Sequence, residues 1–223
     1  SPEFAMKRVL AAGLCRIYQI VPCFREEEQG VHHRREFTML EWYRVGASTA
    51  DLILETTALI GAAAQALGQE PPRFDVVAAS ALLPDTGDPD AWFYAWVDRV
   101  EPTLTRPTVV TGYPAWQAAL ARVVGDVADR FEVYLGGLEL ANAFGEETDP
   151  ATLEARWREG NARRVARGRA PHPIDPTFLE AVGKNVGKSL SEHDLVPTAQ
   201  GLIEKMKKRG ANIPIAVDVV CGK

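Results

Sequence analysis

The chain has 223 residues, with 25 Lys and Arg against 30 Asp and Glu and a formal net charge of −5. No global positive field therefore argues for a nucleic-acid partner. At 46% hydrophobic and 25% charged residues, it is too apolar for a disordered chain and too interrupted for a membrane protein, and it is long enough to bury a sizeable core.

The first residues predict a helix: Ser1 can cap, Pro2 sits where a helix tolerates proline, and Phe4, Met6, Val9 and Leu10 recur before Gly13. Ile17 to Phe24 and Glu36 to Arg44 are two aromatic and β-branched runs separated by a polar stretch. They read as an antiparallel strand pair joined by a charged loop. Ser48 opens a long helix to about Leu67, with Leu52, Thr56, Leu59, Ile60 and Ala63 at helical spacing.

Residues 69–113, rich in Pro, Asp and Gly, predict a surface excursion. Its aromatic stretch, Trp92 to Trp96, is either a ligand box or the core side of a short helix. The second is favoured because no polar residue is spaced among the rings to orient a ligand. A helix from about Tyr113 to Arg130, one strand from Phe131 through Phe144 and a basic helix over 150–169 follow. Two helical patches and a strand from Ile213 to Val220 close the pattern. No internal repeat is present.

Cys15, Cys23 and Cys221 are odd in number and form no C-x-x-C, so neither a disulfide framework nor a zinc knuckle is implied. No charged segment precedes an apolar one as in a secretory signal, so a soluble, cytoplasmic, reduced protein is expected.

Two stretches could carry chemistry. In the charged loop, an arginine at a strand end can hold a phosphate bidentately, and a carboxylate two residues on shares its strand face. Arg25 and Glu27 stand so; a solvated, charged hairpin tip is the plainer alternative. In the second stretch Glu139 lies in an apolar strand and Glu146 just beyond it. Such carboxylates suit Mg²⁺ bound with substrate phosphates, or capture of an ammonium group, and a carboxylate among apolar residues is costly unless paired.

Three other features carry less. Gly183 to Ser189 has one residue too few between its glycines for a phosphate-binding loop. His32 and His33 are adjacent, point apart on extended backbone and lack a third ligand at fitting spacing. Arg156, Arg158, Arg163, Arg164, Arg167 and Arg169 read as a solvated basic face, or else as a dock for an acidic protein.

Three segments together carry a family resemblance. Ser1-Pro2-Glu3-Phe4-Ala5-Met6-Lys7-Arg8, then Phe24-Arg25-x-Glu27 with Glu36-Phe37-Thr38-Met39-Leu40-Glu41-Trp42-Tyr43, then Gly137-Leu138-Glu139-Leu140-Ala141-Asn142 resemble the class II lysyl-tRNA synthetase core. More specifically they resemble its bacterial paralogues, the elongation factor P–lysine ligases. The likeness covers residues 1–176, with Pro173-Ile174-Asp175 in agreement. Residues 177–223 instead resemble a fragment of phosphoglycerate kinase. The expected fold is α+β, a class II synthetase-like antiparallel sheet flanked by helices with a small α/β tail.

The resemblance implies ATP-dependent activation of lysine or β-lysine as an adenylate, then transfer to a lysine of elongation factor P. Arg25 and Glu27 would be catalytic. Arg25, Glu26, Glu27, Arg34, Glu139 and Leu140 would contact ATP, and Glu139 and Glu146 would hold Mg²⁺. Ser1, Pro2, Glu3, Tyr43 and Glu146 would line the amino-acid pocket. Arg25 and Glu27 are expected on one concave surface, and Glu139 and Glu146 in one pocket with Tyr43 and Glu3. No membrane and no tRNA are expected as partners. The family is homodimeric, but the missing first motif argues against a dimer here.

The chain departs from the family pattern in several places. Arg34 and Arg35 stand where the family has Asn and Pro, and Ala143, where it has Gly, should crowd the pocket. Nothing resembles the third motif, whose arginine clamps ATP, so weak ATP binding and slow adenylation are expected. A fragment of a true lysyl-tRNA synthetase, or a non-catalytic remnant that binds ATP or a partner, are the alternatives.

Overall fold

The computed structural model describes residues 2–25, 34–183 and, as backbone, 215–222. Helix α1 (Glu3–Ala11) begins at Pro2 and ends before Gly13, whose φ of 109° suits glycine. Strands β1 (Arg16–Phe24) and β2 (Glu36–Val45) pair antiparallel in unbroken register, from Arg16 opposite Arg44 to Phe24 opposite Glu36. Helix α2 (Thr49–Ala66) starts from a reciprocal cap. The Ser48 hydroxyl accepts from the Asp51 backbone N–H at 3.1 Å, and the Asp51 carboxylate accepts from the Ser48 N–H at 2.8 Å.

The excursion holds strand β3 (Asp75–Ala78), helices α3 (Ala79–Leu82) and α4 (Pro89–Ala95), and a π-helical turn over Trp96–Val100. Trp92 and Trp96 are buried and stack at 4.8 Å, while Phe93 and Tyr94 are exposed. The aromatic stretch is thus the core side of a short helix.

Residues 108–145 differ from the helix and single strand expected there. They form β4 (Thr108–Pro114), the short β5 (Val123–Val124), β6 (Val127–Leu135) and β7 (Leu138–Gly145). Gly136 and Gly137, at φ 62° and 80°, make the two-residue turn that splits the expected strand into a hairpin, because both positions need positive φ. Thr108 to Thr111 is a β-branched run whose strand character the surrounding Pro and Gly concealed.

Helix α5 (Pro150–Ala166) is capped by Asp149, which accepts from the N–H groups of Ala151 and Thr152. Helix α6 (Pro176–Gly183) packs on α1 and α5, with Phe178 stacked on Phe4 at 4.1 Å. Strand β8 (Ile215–Gly222) joins the sheet.

The sheet order is β1-β2-β8-β7-β6-β4-β3, with β5 on β6. Pairings of β8 with β2 and β7, and of β3 with β4, are parallel; the others are antiparallel. One face buries Leu52 of α2 against Val109, Phe131, Val133, Ala141 and Ala143. The other packs Leu10, Tyr43, Trp92, Trp96, Tyr113, Tyr134 and Phe144. Among the described residues no helix is long and apolar enough to cross a membrane.

Candidate active site

Period-two alternation decides which side chains share a face. In β2, Leu40 and Trp42 pack with residues of α2, while Tyr43 lies in the opposite cluster. Glu41 and Phe37 follow Tyr43 in parity, and across the β1–β2 pair so do Gln19 and Cys23. Arg25 continues that parity just beyond β1, with its guanidinium 5.3 Å from the Phe37 ring. Its backbone N–H donates to Arg35 at 2.9 Å, closing the base of the loop. Glu26, Glu27 and Ser1, and His32 and His33, lie outside the described residues, and Arg34 is exposed.

A polar row crosses this face in register. Gln19 stands opposite Glu41, Glu41 and Asn142 both neighbour position 218 of β8, and Asn142 stands opposite Glu132. Glu41 is 0% exposed and accepts from the Gln19 side-chain amide. Glu132 is 8% exposed. One of its carboxylate oxygens accepts from the Tyr113 hydroxyl at 2.5 Å and the Tyr134 hydroxyl at 2.6 Å, and the other takes an Arg130 N–H. Arg130 also donates to Asn142 at 3.0 Å. Burial, and then the Glu132 charge, push both phenols above their ordinary range, so they stay protonated donors. Buried carboxylates persist only when paired in this way.

The strand registers give the face two ends. The start of β2, beside Arg25, is level with the start of β7, because Thr38 pairs Ile215 of β8 and Ala141 pairs Val217. A bulge between Val133 and Tyr134 sets Glu139 opposite Tyr134, so Glu139 joins the face of Glu132 at that end. Glu139 is exposed there, and Leu140 is half-buried beside it. At the other end Tyr43 and Phe144 share position 220 of β8 as neighbour, and Glu146 follows.

Here Lys7 of α1 is 6% exposed, with its ammonium 2.6 Å from Glu3, 2.7 Å from Glu146 and 5.1 Å from the Phe144 ring centroid. Burial works against the Lys7 charge, but Glu146 and Glu3 outweigh it and hold the ammonium above its ordinary range. Pro2 sits at the start of α1 beside this cluster.

The expectation of one pocket is therefore corrected. Glu3 and Glu146 converge and Tyr43 shares their end, but Glu139 lies roughly 20 Å from Glu146 along β7 at the usual strand rise. One Mg²⁺, which binds each oxygen at about 2.1 Å, cannot take both carboxylates. Ala143 packs with Leu52 and Val109 on the opposite face, so it does not crowd the site. The basic helix is largely neutralised: Arg156 binds Glu147 and two backbone carbonyls, Arg158 binds Glu154, Arg163 binds Glu159, and Arg167 binds Asp90.

Lys7, Glu41 and Glu132 had no role assigned from the sequence. Glu132, between Phe131 and Val133, carries the same signal that singled out Glu139.

Residues 1–184 match the family described as tRNA synthetases class II (D, K and N). The chain belongs to this family. Its class II, α+β fold follows, although the sheet is mixed rather than wholly antiparallel. Residues 174–223 match phosphoglycerate kinase. Among similar curated proteins are elongation factor P–(R)-β-lysine ligases. That of Vibrio atlanticus (strain LGP32) is 38% identical over 82% of this chain and 66% of its own length, and that of Vibrio campbellii (strain ATCC BAA-1116) is 40% identical over the same shares. The Enterobacter sp. (strain 638) protein is 37% identical over 82% of this chain and 65% of its own length. The chain thus spans just under two thirds of these relatives.

Proposed function

We propose that this chain is the catalytic portion of a cytoplasmic ligase that activates lysine or (R)-β-lysine as an adenylate and passes it to a lysine of elongation factor P. We also propose that residues 1–176 are of synthetase origin and 177–223 of phosphoglycerate kinase origin. One observation carries the functional reading: the register puts Arg25 and Glu139 at one end of a polar face and Tyr43, Glu3 and Glu146 at the other. That length and polarity suit ATP at the first end and a diamino acid at the second.

In the reaction a substrate carboxylate oxygen attacks the α-phosphorus of ATP, the bond to the β-phosphate breaks and pyrophosphate leaves. A lysine amine of the partner then attacks the acyl carbon, losing a proton as AMP departs. Arg25 would meet the α-phosphate where charge develops, and the resemblance adds Glu26, Glu27, Arg34 and Leu140 as nucleotide contacts. The resemblance adds Ser1 and Pro2 as amino-acid contacts. Glu139 would hold Mg²⁺ together with substrate phosphates, and the ion would neutralise phosphate charge. Glu146, engaged by Lys7, belongs to the ammonium end rather than to the metal. The protein's contribution is positioning and charge neutralisation, without a nucleophilic side chain.

Lysine-dependent pyrophosphate–ATP exchange tests this reading. Slow exchange is expected, and Arg25→Ala should lower it by a further factor of roughly 10² to 10³, the usual cost of losing one preorganised charged contact. Exchange indifferent to Arg25→Ala removes that residue from the site. No exchange and no ATP binding by calorimetry leaves a non-catalytic remnant.

A further inference from the structure

The two carboxylates assigned to the substrate's ammonium end already share an ammonium that belongs to the chain. Lys7 touches Glu3 within its own helix, at 2.6 Å, and Glu146 beyond β7, at 2.7 Å. The lysine stem is buried and its ammonium lies by the Phe144 ring. Two carboxylates brought so close without a cation between them would repel each other strongly in this partly dry setting. With Lys7 the three groups carry a net charge of −1; without it they carry −2.

Resting on the ligase reading, we propose that Lys7 is a positioning residue: its ammonium fixes Glu3 and Glu146 in one arrangement and leaves the pair a single negative charge, so that this end accepts one substrate ammonium. The i,i+4 spacing of Glu3 and Lys7 makes their pairing a property of α1 itself. The reach to Glu146 then ties α1 to the end of β7, so the geometry is set before substrate arrives. The other ammonium of a diamino acid must find its partner elsewhere along the face. In the rival role, Lys7 occupies the place the substrate's ammonium would take. The two roles predict opposite results when Lys7 is removed.

The test is calorimetric, on the full chain. The ligands are L-lysine, L-norleucine (which lacks the side-chain ammonium), 6-aminohexanoate (which lacks the α-ammonium) and, separately, ATP. In the unmodified protein, loss of one of the two ammonium groups should weaken binding at least about tenfold, close to the worth of one charge-assisted contact. In Lys7→Met, lysine affinity should fall at least about tenfold and that discrimination should collapse. ATP affinity should hold within about twofold, since ATP occupies the other end. Lys7→Arg, which keeps the charge, should recover most of both properties.

Unchanged lysine affinity in Lys7→Met overturns the proposal, and tighter lysine binding overturns it in favour of the rival role. If Lys7→Met fails to fold, shown by loss of ATP binding as well, Lys7→Arg decides. Retained discrimination there supports the proposal, and lost discrimination with ATP binding intact overturns it. An unmodified chain that binds ATP but no lysine defeats the ligase reading itself, and the Lys7 proposal with it. Failure confined to the Lys7 variants defeats the Lys7 proposal alone.

Discussion

Replacing Glu132 by Gln strikes the most heavily shared acceptor in the sheet. Its carboxylate receives two phenol hydroxyls and one guanidinium N–H, and both it and Arg130 are largely buried. Glutamine keeps one acceptor oxygen for the tyrosines but turns an amide NH₂ toward Arg130, so the charged contact is lost and donor meets donor. Breaking a buried pair by removing one partner typically costs about 3–5 kcal/mol. Arg130 retains the Asn142 side chain and the Gln117 backbone carbonyl as acceptors, which lowers the expected loss to about 2–4 kcal/mol. That is a large share of the roughly 5–15 kcal/mol available to a folded domain. Urea unfolding followed by circular dichroism reads it directly, alongside Tyr134→Phe and the double variant. Tyr134→Phe alone removes one donor to Glu132 and the acceptor of the Trp96 indole N–H at 3.3 Å, for about 1–2 kcal/mol. The two changes share a partner and should be non-additive by about 1 kcal/mol. A Glu132→Gln loss below about 0.5 kcal/mol, or strict additivity, would refute the shared-acceptor account.

Three further outcomes concern the frame. Ser48→Ala should cost about 1 kcal/mol by thermal unfolding, since it removes the side-chain half of the α2 cap. The Ser48 backbone and side chain also hold the Asp51 carboxyl below its ordinary range; a folded-state pKa below the unfolded one gives stability that is complete above the ordinary carboxylate pKa and lost as pH falls through the folded value. Asp51→Asn should therefore flatten part of the acid limb of a stability–pH curve while leaving its alkaline limb in place. Gly137→Ala, at φ 80°, should destabilise by about 1–2 kcal/mol; a neutral result would mean that the β6–β7 turn does not require that backbone conformation.

The parts of this fold legible in sequence are those whose order is local. The α2 cap, the periodicity of α1 and α2, and the paired runs of β1 and β2 appear where expected, because each is written in neighbouring residues. Residues 108–145 are less legible because Gly136-Gly137, a turn signal, sits inside an apolar run that reads as one strand. Glu3, Glu146 and Tyr43 were singled out by resemblance and share one end of the face. Lys7, Glu41 and Glu132 passed unassigned for a physical reason: their burial comes from other elements folding over them. The separation of Glu139 from Glu146 was equally hidden, since nearness in sequence along an extended strand means distance in space.

Strand β8 sits between β2 and β7, and that position sets the order in which the site can form. The β1–β2 hairpin carries Arg25 and Tyr43, the β7–β6–β4–β3 ribbon carries Glu139 and leads into Glu146, and within the sheet only β8 hydrogen-bonds to both. Within each half the pairing is antiparallel except at β3–β4, but β8 runs parallel to both neighbours and follows α5 and α6 in chain order. Until it docks, two open edges face each other and the halves meet through side-chain packing, such as that of α2 on both, without backbone hydrogen bonds to fix their register. Pulse-labelled hydrogen exchange during refolding should then show amides of β1–β2 and β6–β7 protected early and separately, with the inner-edge amides of β2 and β7 protected later and together. The ends proposed for nucleotide and for ammonium would acquire their spacing in that final event, so the proposed activity would be the slowest thing this chain learns as it folds.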